Sequence, residues 1–215
     1  MHLCWTQVLN YLLSNPPDLR GLLLATLAFL VALTLHEFGH AAVATMQGDP
    51  TAKLAGRLTV NPLAHLDPVG TFFIILAGFG WGKPVPFTAS KLRSLRFGPA
   101  LVGVAGPAMN FLLAFISAWA LVAMGRGALG TFGRFLVLGL QINVVLAIFN
   151  LLPIPPLDGS RILSALLPPS KHHIIYFLDR WGFVILLIVV FFLFRPLVSP
   201  LIDFVTDVIL RVVGA

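Results

Sequence analysis

The 215-residue chain is 58% hydrophobic and only 10% charged, with a mean hydropathy of +0.96. Soluble domains carry about 25% charged residues, so the class that fits is a multi-spanning membrane protein, and at this length a single membrane-embedded domain over 1–215 with no room for a separate soluble one. The net charge of +6 comes from few basic residues set between apolar runs, which speaks for membrane topology and against nucleic-acid binding, and the lone Cys4 excludes an intrachain disulfide or a thiolate zinc site.

Met1 to Asn15 is weakly amphipathic and reads as an interfacial helix ended by Pro16-Pro17. It lacks a basic start and an A-x-A-like site, so no cleavable signal is expected. Asp18 is placed to cap a first core helix over about 19–47, stopped by Gly48-Asp49-Pro50. Arg57 to Pro62 has short strand character. Asn61 to Pro68 is turn-rich and polar, and Val69 to Phe79 is apolar but too short to span, which suggests a re-entrant piece. Gly80-Trp81-Gly82-Lys83-Pro84-Val85-Pro86 cannot be helical with that proline spacing. Core helices follow over about 99–124 and 132–152, the second broken by Pro153-Ile154-Pro155-Pro156 and leading into a short helix to Leu167. Peripheral helices are predicted over about 174–194 and 197–213, separated by Arg195-Pro196. The fold class is therefore an all-α polytopic bundle of about 4–6 transmembrane segments, with a small re-entrant or β-like element between the first two core helices.

Six of the fourteen Lys and Arg residues fall between the first two core helices, and few lie in the link after the second. The positive-inside rule then puts 51–97 in the cytoplasm and that link outside. The chain is expected to be a multi-pass protein of the cell membrane, with the last third of the first helix and residue 158 both near the cytoplasmic side.

Chemistry concentrates at His36-Glu37-Phe38-Gly39-His40. Two histidines four apart on a helix differ by about 40° of rotation and about 6 Å of rise, so both rings leave one face. That suits two nitrogen ligands of zinc, with Glu37, about 100° round from His36, placed to act on a water. Ionisable groups in a bilayer-length segment are costly and mark function; this segment carries three, and Glu37 is the only glutamate in the chain. A catalytic zinc needs a third protein ligand. His65, Asp67, Asp158, His172 and His173 are the candidates. Asp158 fits best because it follows a helix break; its other reading is an N-cap for the short helix. His65 is better suited to a turn or a water path, and His172-His173 to the membrane edge.

The H-E-x-x-H turn is followed by Asn150-Leu-Leu-Pro153-Ile-Pro155-Pro156-Leu157-Asp158-Gly159, with Asn61-Pro62 through Asp67-Pro68 and Gly106-Pro107-Ala108-Met109-Asn110 between them. Over residues 30–167 this resembles the site-2 protease family of intramembrane zinc metalloproteases, in a minimal form without PDZ or CBS domain. The resemblance implies one Zn2+ per chain held by His36, His40 and Asp158, Glu37 as general base, and Asn150 steadying the oxyanion. It implies hydrolysis of peptide bonds in or beside transmembrane segments, with a transmembrane protein substrate and the lipid bilayer as partners. A homo-oligomer or a regulatory membrane partner also fits. Gly80, Trp81 and Gly82 are expected to meet substrate as an added strand, with Asn110 and His65 near it. Three rival readings use the same side chains. A di-iron hydroxylase needs more histidine clusters than this. A metal transporter needs no Glu37 and favours internal symmetry. A catalytically silent chaperone has no use for an intact motif.

Overall fold

A computed structural model of the protein describes residues 18–70, 82–125 and 130–214. The expected interfacial helix over 1–15, most of the re-entrant piece, Gly80 and Trp81 lie outside the described residues. Three long helices form the core: α1 (Leu19–Met46), α2 (Gly98–Met124) and α3 (Thr131–Asn150). A short α4 (Gly159–Leu166) follows the break after α3, and α5 (His172–Ile188) and α6 (Ser199–Val213) complete the bundle. Four stretches are long and apolar enough to cross a membrane: α1, α2, α3 and 169–213. The chain is thus mostly helical and polytopic, as its composition requires.

α1 starts where Asp18 Oδ1 accepts the Gly21 N–H at 2.9 Å. Arg134 near the start of α3 pairs with the other Asp18 oxygen at 2.8 Å, which ties two helix starts at one end of the bundle. α1 stops at Gly48, whose φ of +100° suits only a residue without Cβ. The core is built on small residues. Ala25, Ala28 and Ala32 pack on Leu138 and Ile142, while Ala114 and Ala118 pack on Leu140, Val144, Ile148, Val198, Ile202 and Ile209. In lipid, where leucine gains nothing by leaving hydrocarbon, close backbone approach is what holds helices together. One such approach is at Gly39 of α1, where a Cβ would lie 2.8 Å from the Ala105 carbonyl oxygen of α2. Large side chains such as Leu23, Leu27, Ile116 and Trp119 face outward.

The segment between α1 and α2 is tied back on the end of α1. Asp49 is fully buried and accepts from the Thr51 N–H at 3.0 Å, the Thr51 hydroxyl at 2.5 Å and the Thr88 N–H at 2.5 Å. Burial pushes its carboxyl up, but these hydrogen bonds and the Lys91 charge outweigh it and hold the group below its ordinary range. The stabilisation is therefore present above that range and lost as pH falls through the lowered value. Val85 packs on Ala41 and Ala52, and Leu92 on Ala44 and Val102, so this segment covers the end of α1 that carries His40.

Two local expectations need correction. Residues 57–62 form no strand; Asn61 instead caps a 3₁₀ turn, Pro62–Ala64, accepting the Leu63 N–H at 3.1 Å. What survives of the β-like element among the described residues is one antiparallel bridge, Leu66 to Gly82. Nor does Arg195-Pro196 separate the peripheral helices. The chain stays helical from His172 to Val213, through a π-helical stretch, Val189–Val198. Proline removes one i→i−4 donor and crowds the preceding turn; the wider π turn takes up that misfit without ending the helix.

Candidate metal centre

His36 and His40 sit one turn apart on α1 and are each 4% exposed. Their rings meet edge to face, with centroids 4.6 Å apart. The two Nε2 atoms lie 3.0 Å from each other. Asp158 Oδ2 lies 3.2 Å from the first and 3.1 Å from the second. Among the described residues these three form the group whose donor atoms converge as for a metal ion.

The tautomers follow from the outer partners. Asn110 Nδ2 faces the Ala32 carbonyl at 3.2 Å and Asn143 Oδ1 at 2.8 Å, both acceptors. Asn110 Oδ1 must then face His36 Nδ1, at 2.6 Å, and that nitrogen donates. Asn143 is itself fixed by donating to the Gly139 carbonyl at 2.8 Å. His40 Nδ1 donates to the Val102 carbonyl at 2.7 Å. Both Nε2 atoms therefore present bare lone pairs to one another and to a carboxylate oxygen. Three acceptors at that spacing repel unless a cation lies between them. Tetrahedral zinc with Zn–N of about 2.0–2.1 Å sets its ligand atoms about 3.3 Å apart, so the donor set fits zinc. The outer hydrogen bonds are of the kind that orient metal-binding histidines.

Glycines make the convergence possible. A Cβ on Gly106 would lie 2.4 Å from His40 Nε2 and 2.6 Å from His36 Nε2. One on Gly103 would lie 3.0 Å from the Asp158 carbonyl oxygen. Asp158 arrives because the chain after α3 folds back on itself. Ile154 N–H donates to the Leu152 carbonyl at 2.8 Å and Leu157 N–H to the Ile154 carbonyl at 2.9 Å. Gly159 is pressed against the Leu151 and Leu152 carbonyls, where a Cβ would come within 2.4 Å of both. Asp158 stands at the N-cap of α4, yet its side chain makes no capping bond. It turns instead to the histidines, and Arg161 lies 3.7 Å from its second oxygen. The side chain thus faces the two histidines rather than the start of α4.

Asp158→Ala is accordingly expected to lower zinc content as far as His36→Ala does, with Asp158→Asn in between, since the oxygen remains and the charge is gone. Metal analysis of the purified variants decides it. Because Asn and Asp cap about equally well, full zinc and full activity in Asp158→Asn would return the residue to a structural role.

The other expected site residues are placed as follows. Glu37 is buried beside the cluster and outside the ligand group. Arg57, 5% exposed, lies within electrostatic reach of it. That guanidinium donates to the carbonyls of Ala64, Lys83 and Pro84, clamping together the two segments joined by the Leu66–Gly82 bridge. Asn110 supports His36, and Asn150 donates to the Leu146 carbonyl at 3.0 Å, within its own helix. His65 is fully buried in its turn, with Nε2 donating to the Thr59 carbonyl at 2.8 Å. Asp67 caps the turn at 68–70 through the Gly70 N–H, and His172 and His173 are exposed. Gly82 packs against Leu33, one turn before His36. Sequence reasoning missed Asn143, Gly106 as the wall of the site, and the Arg57 clamp. Two of the three had a signal: an uncompensated amide and an uncompensated guanidinium in an apolar chain.

Four membrane-length helical stretches and a buried two-histidine, one-carboxylate cluster define a polytopic membrane protein with a metal centre of the metalloprotease type. Residues 122–190 match the model of peptidase family M50. The chain is 43% identical over 180 residues to "Putative zinc metalloprotease YwhC" of Bacillus subtilis, covering 80% of this chain and 81% of that one. It is 31% identical to "Putative zinc metalloprotease Rip2" of Mycolicibacterium smegmatis, over 77% of this chain and 66% of the relative. The Mycobacterium tuberculosis protein of the same name is 32% identical, over 74% and 63%. No solved structure matches the chain. The chain belongs to peptidase family M50, the site-2 protease family of metalloproteases.

Proposed function

We propose that the protein is a zinc-dependent intramembrane endopeptidase of the H-E-x-x-H type, which hydrolyses peptide bonds in or next to the transmembrane segments of membrane proteins. The observation that carries this is the meeting of His36, His40 and Asp158 at 3.0–3.2 Å inside a bundle of membrane-length helices, with Glu37 buried beside them. His36 Nε2, His40 Nε2 and Asp158 Oδ2 would hold the ion. Bound there, zinc supplies Lewis acidity and draws the pKa of a water toward neutrality. Glu37 takes the proton of the attacking water and delivers it to the leaving amine. Asn110 and Val102 keep both imidazoles in the tautomer that leaves Nε2 free.

A helical substrate hides each carbonyl in its own i→i−4 bond and must be opened first. The 82–86 stretch cannot be helical, and Lys83, Pro84 and Pro86 are exposed along it. It serves as an edge for an extended substrate by strand addition, held in place by Arg57. A transporter would make no use of Glu37, and a silent chaperone would need neither the ligand convergence nor the carboxylate.

The test is cleavage of a synthetic transmembrane peptide by the purified protein in detergent, with zinc measured on the same sample. Cleavage should stop on chelation and return with zinc. Zinc-loaded protein that cuts no membrane peptide would refute the reading. Orientation is checked separately in the cell membrane. In a chain with Cys4 replaced, a cysteine at Lys91 should be labelled only from the cytoplasm and one at Gly130 only from outside. The opposite pattern would move the site to the outer leaflet.

A further inference from the structure

A cleft of about 530 Å³ opens between the start of α2, α4 and the first turns of α5. Neither His36, Glu37 nor His40 lines it. Leu167, Ile175 and Leu178 give it apolar walls, and Arg96 and Arg161 are also among its lining residues. Asp179 is the one acid among its lining residues. Arg96 is held in place, with Nε donating to the Ala165 carbonyl at 2.8 Å. Arg161 stacks over the Phe87 ring at 4.7 Å.

The place of the cleft says what it meets. α2 and α5 both begin there, at the end of the bundle that carries Lys91, Arg93 and Arg96. Tyr176 and Trp181 stand exposed on α5 beside it, and such amphipathic rings settle at the headgroup level of a bilayer. A cleft lined by apolar side chains together with two arginines against one acid, and set at this depth, is complementary to an anionic amphiphile. Guanidinium forks match phosphate oxygens in geometry and charge. A zwitterionic headgroup would bring its own cation toward the same arginines. The volume lies in the range of small-ligand sites, enough for a headgroup and the beginning of a chain.

We propose that this cleft binds the headgroup of an anionic phospholipid, with the phosphate between Arg96 and Arg161 and an acyl chain along Leu167, Ile175 and Leu178. Arg161 also lies against the metal ligand Asp158, so the test leaves it untouched.

The experiment is native mass spectrometry of the intact protein titrated with phosphatidylglycerol and with phosphatidylcholine of the same chains. Glycerophosphate serves as the soluble anion. Phosphatidylglycerol should bind about tenfold more tightly than phosphatidylcholine. Arg96→Gln should weaken it about fivefold, on the scale of one interfacial cation. Asp179→Asn should strengthen it about threefold, a gain that damaged folding cannot produce. Equal binding of the two lipids, or the same affinity in both variants, would overturn the proposal. Glycerophosphate binding as tightly as phosphatidylglycerol would overturn it too, by making the cleft a site for a soluble phosphate.

Discussion

Glu37→Gln should keep its zinc and its fold and lose peptidase activity by at least about 10²–10⁴, the usual range for removing a general base. Gln is nearly isosteric, so the buried position beside His36 is filled as before. The ligand group does not include Glu37, so metal content should match the wild type within error. What disappears is the only glutamate in the chain and the one buried acid near the cluster that is not itself a ligand. The loss should fall on kcat, with substrate binding preserved, so the variant should also trap substrate. Rates and zinc content measured on the same preparation decide the matter. A Glu37→Gln enzyme that cuts at the wild-type rate would mean that another group takes the water's proton.

The most legible region of the site lies in one helix. His36, Glu37 and His40 are readable because their relation is fixed by a period of 3.6 residues and needs no knowledge of the rest of the chain. Asp158 was legible by position, after a helix break at matching depth, but cap and ligand have the same sequence. In the structure the side chain forms no cap and lies against the two histidines. Asn110 was visible as a buried amide in need of a partner. That the partner is His36, 74 positions away, is a fact of helix packing that no local pattern encodes. Asn150 stands in the family pattern, while its amide is engaged with Leu146. Two local readings gave way to longer-range forces. The strand character at 57–62 yields to the Asn61 cap and to Arg57 gathering carbonyls from 64, 83 and 84. Pro196 does not end its helix because the π turn absorbs it and Val198 and Ile202 pack into the core.

Gly106→Ala should remove zinc and activity together. The added methyl would lie 2.4 Å from His40 Nε2 and 2.6 Å from both Cε1 and Nε2 of His36, in the ground where the ligand atoms converge. Neither ring can swing away cheaply, since Asn110 and the Val102 carbonyl hold their far sides. α1 and α2 would have to move apart, against the contact of Gly39 on Ala105. Loss of one outer-sphere partner costs 10–100-fold in metal affinity, and crowding two ligands at once should exceed about 100-fold. Gly103→Ala meets the Asp158 carbonyl oxygen at 3.0 Å and should be milder. Gly130→Ala, where a methyl meets nothing within 4 Å, should change neither quantity and serves as the control. Zinc analysis and peptide cleavage on the three variants test the order. A Gly106→Ala protein with full zinc would show that α2 does not wall the site as described.

The ligands' separation along the chain has a mechanical consequence. His36 and Asp158 are 122 positions apart. An ion gripping both closes more than half of the protein into one loop. Under tension applied to the two ends, the chain within that loop, about 440 Å of contour at full extension, stays slack until a ligand lets go. The metal-free chain has no such clasp and releases its whole length as its helices yield. An unfoldase drawing the protein out of the bilayer from either terminus would meet a thread of one length when the centre is loaded and of another when it is stripped.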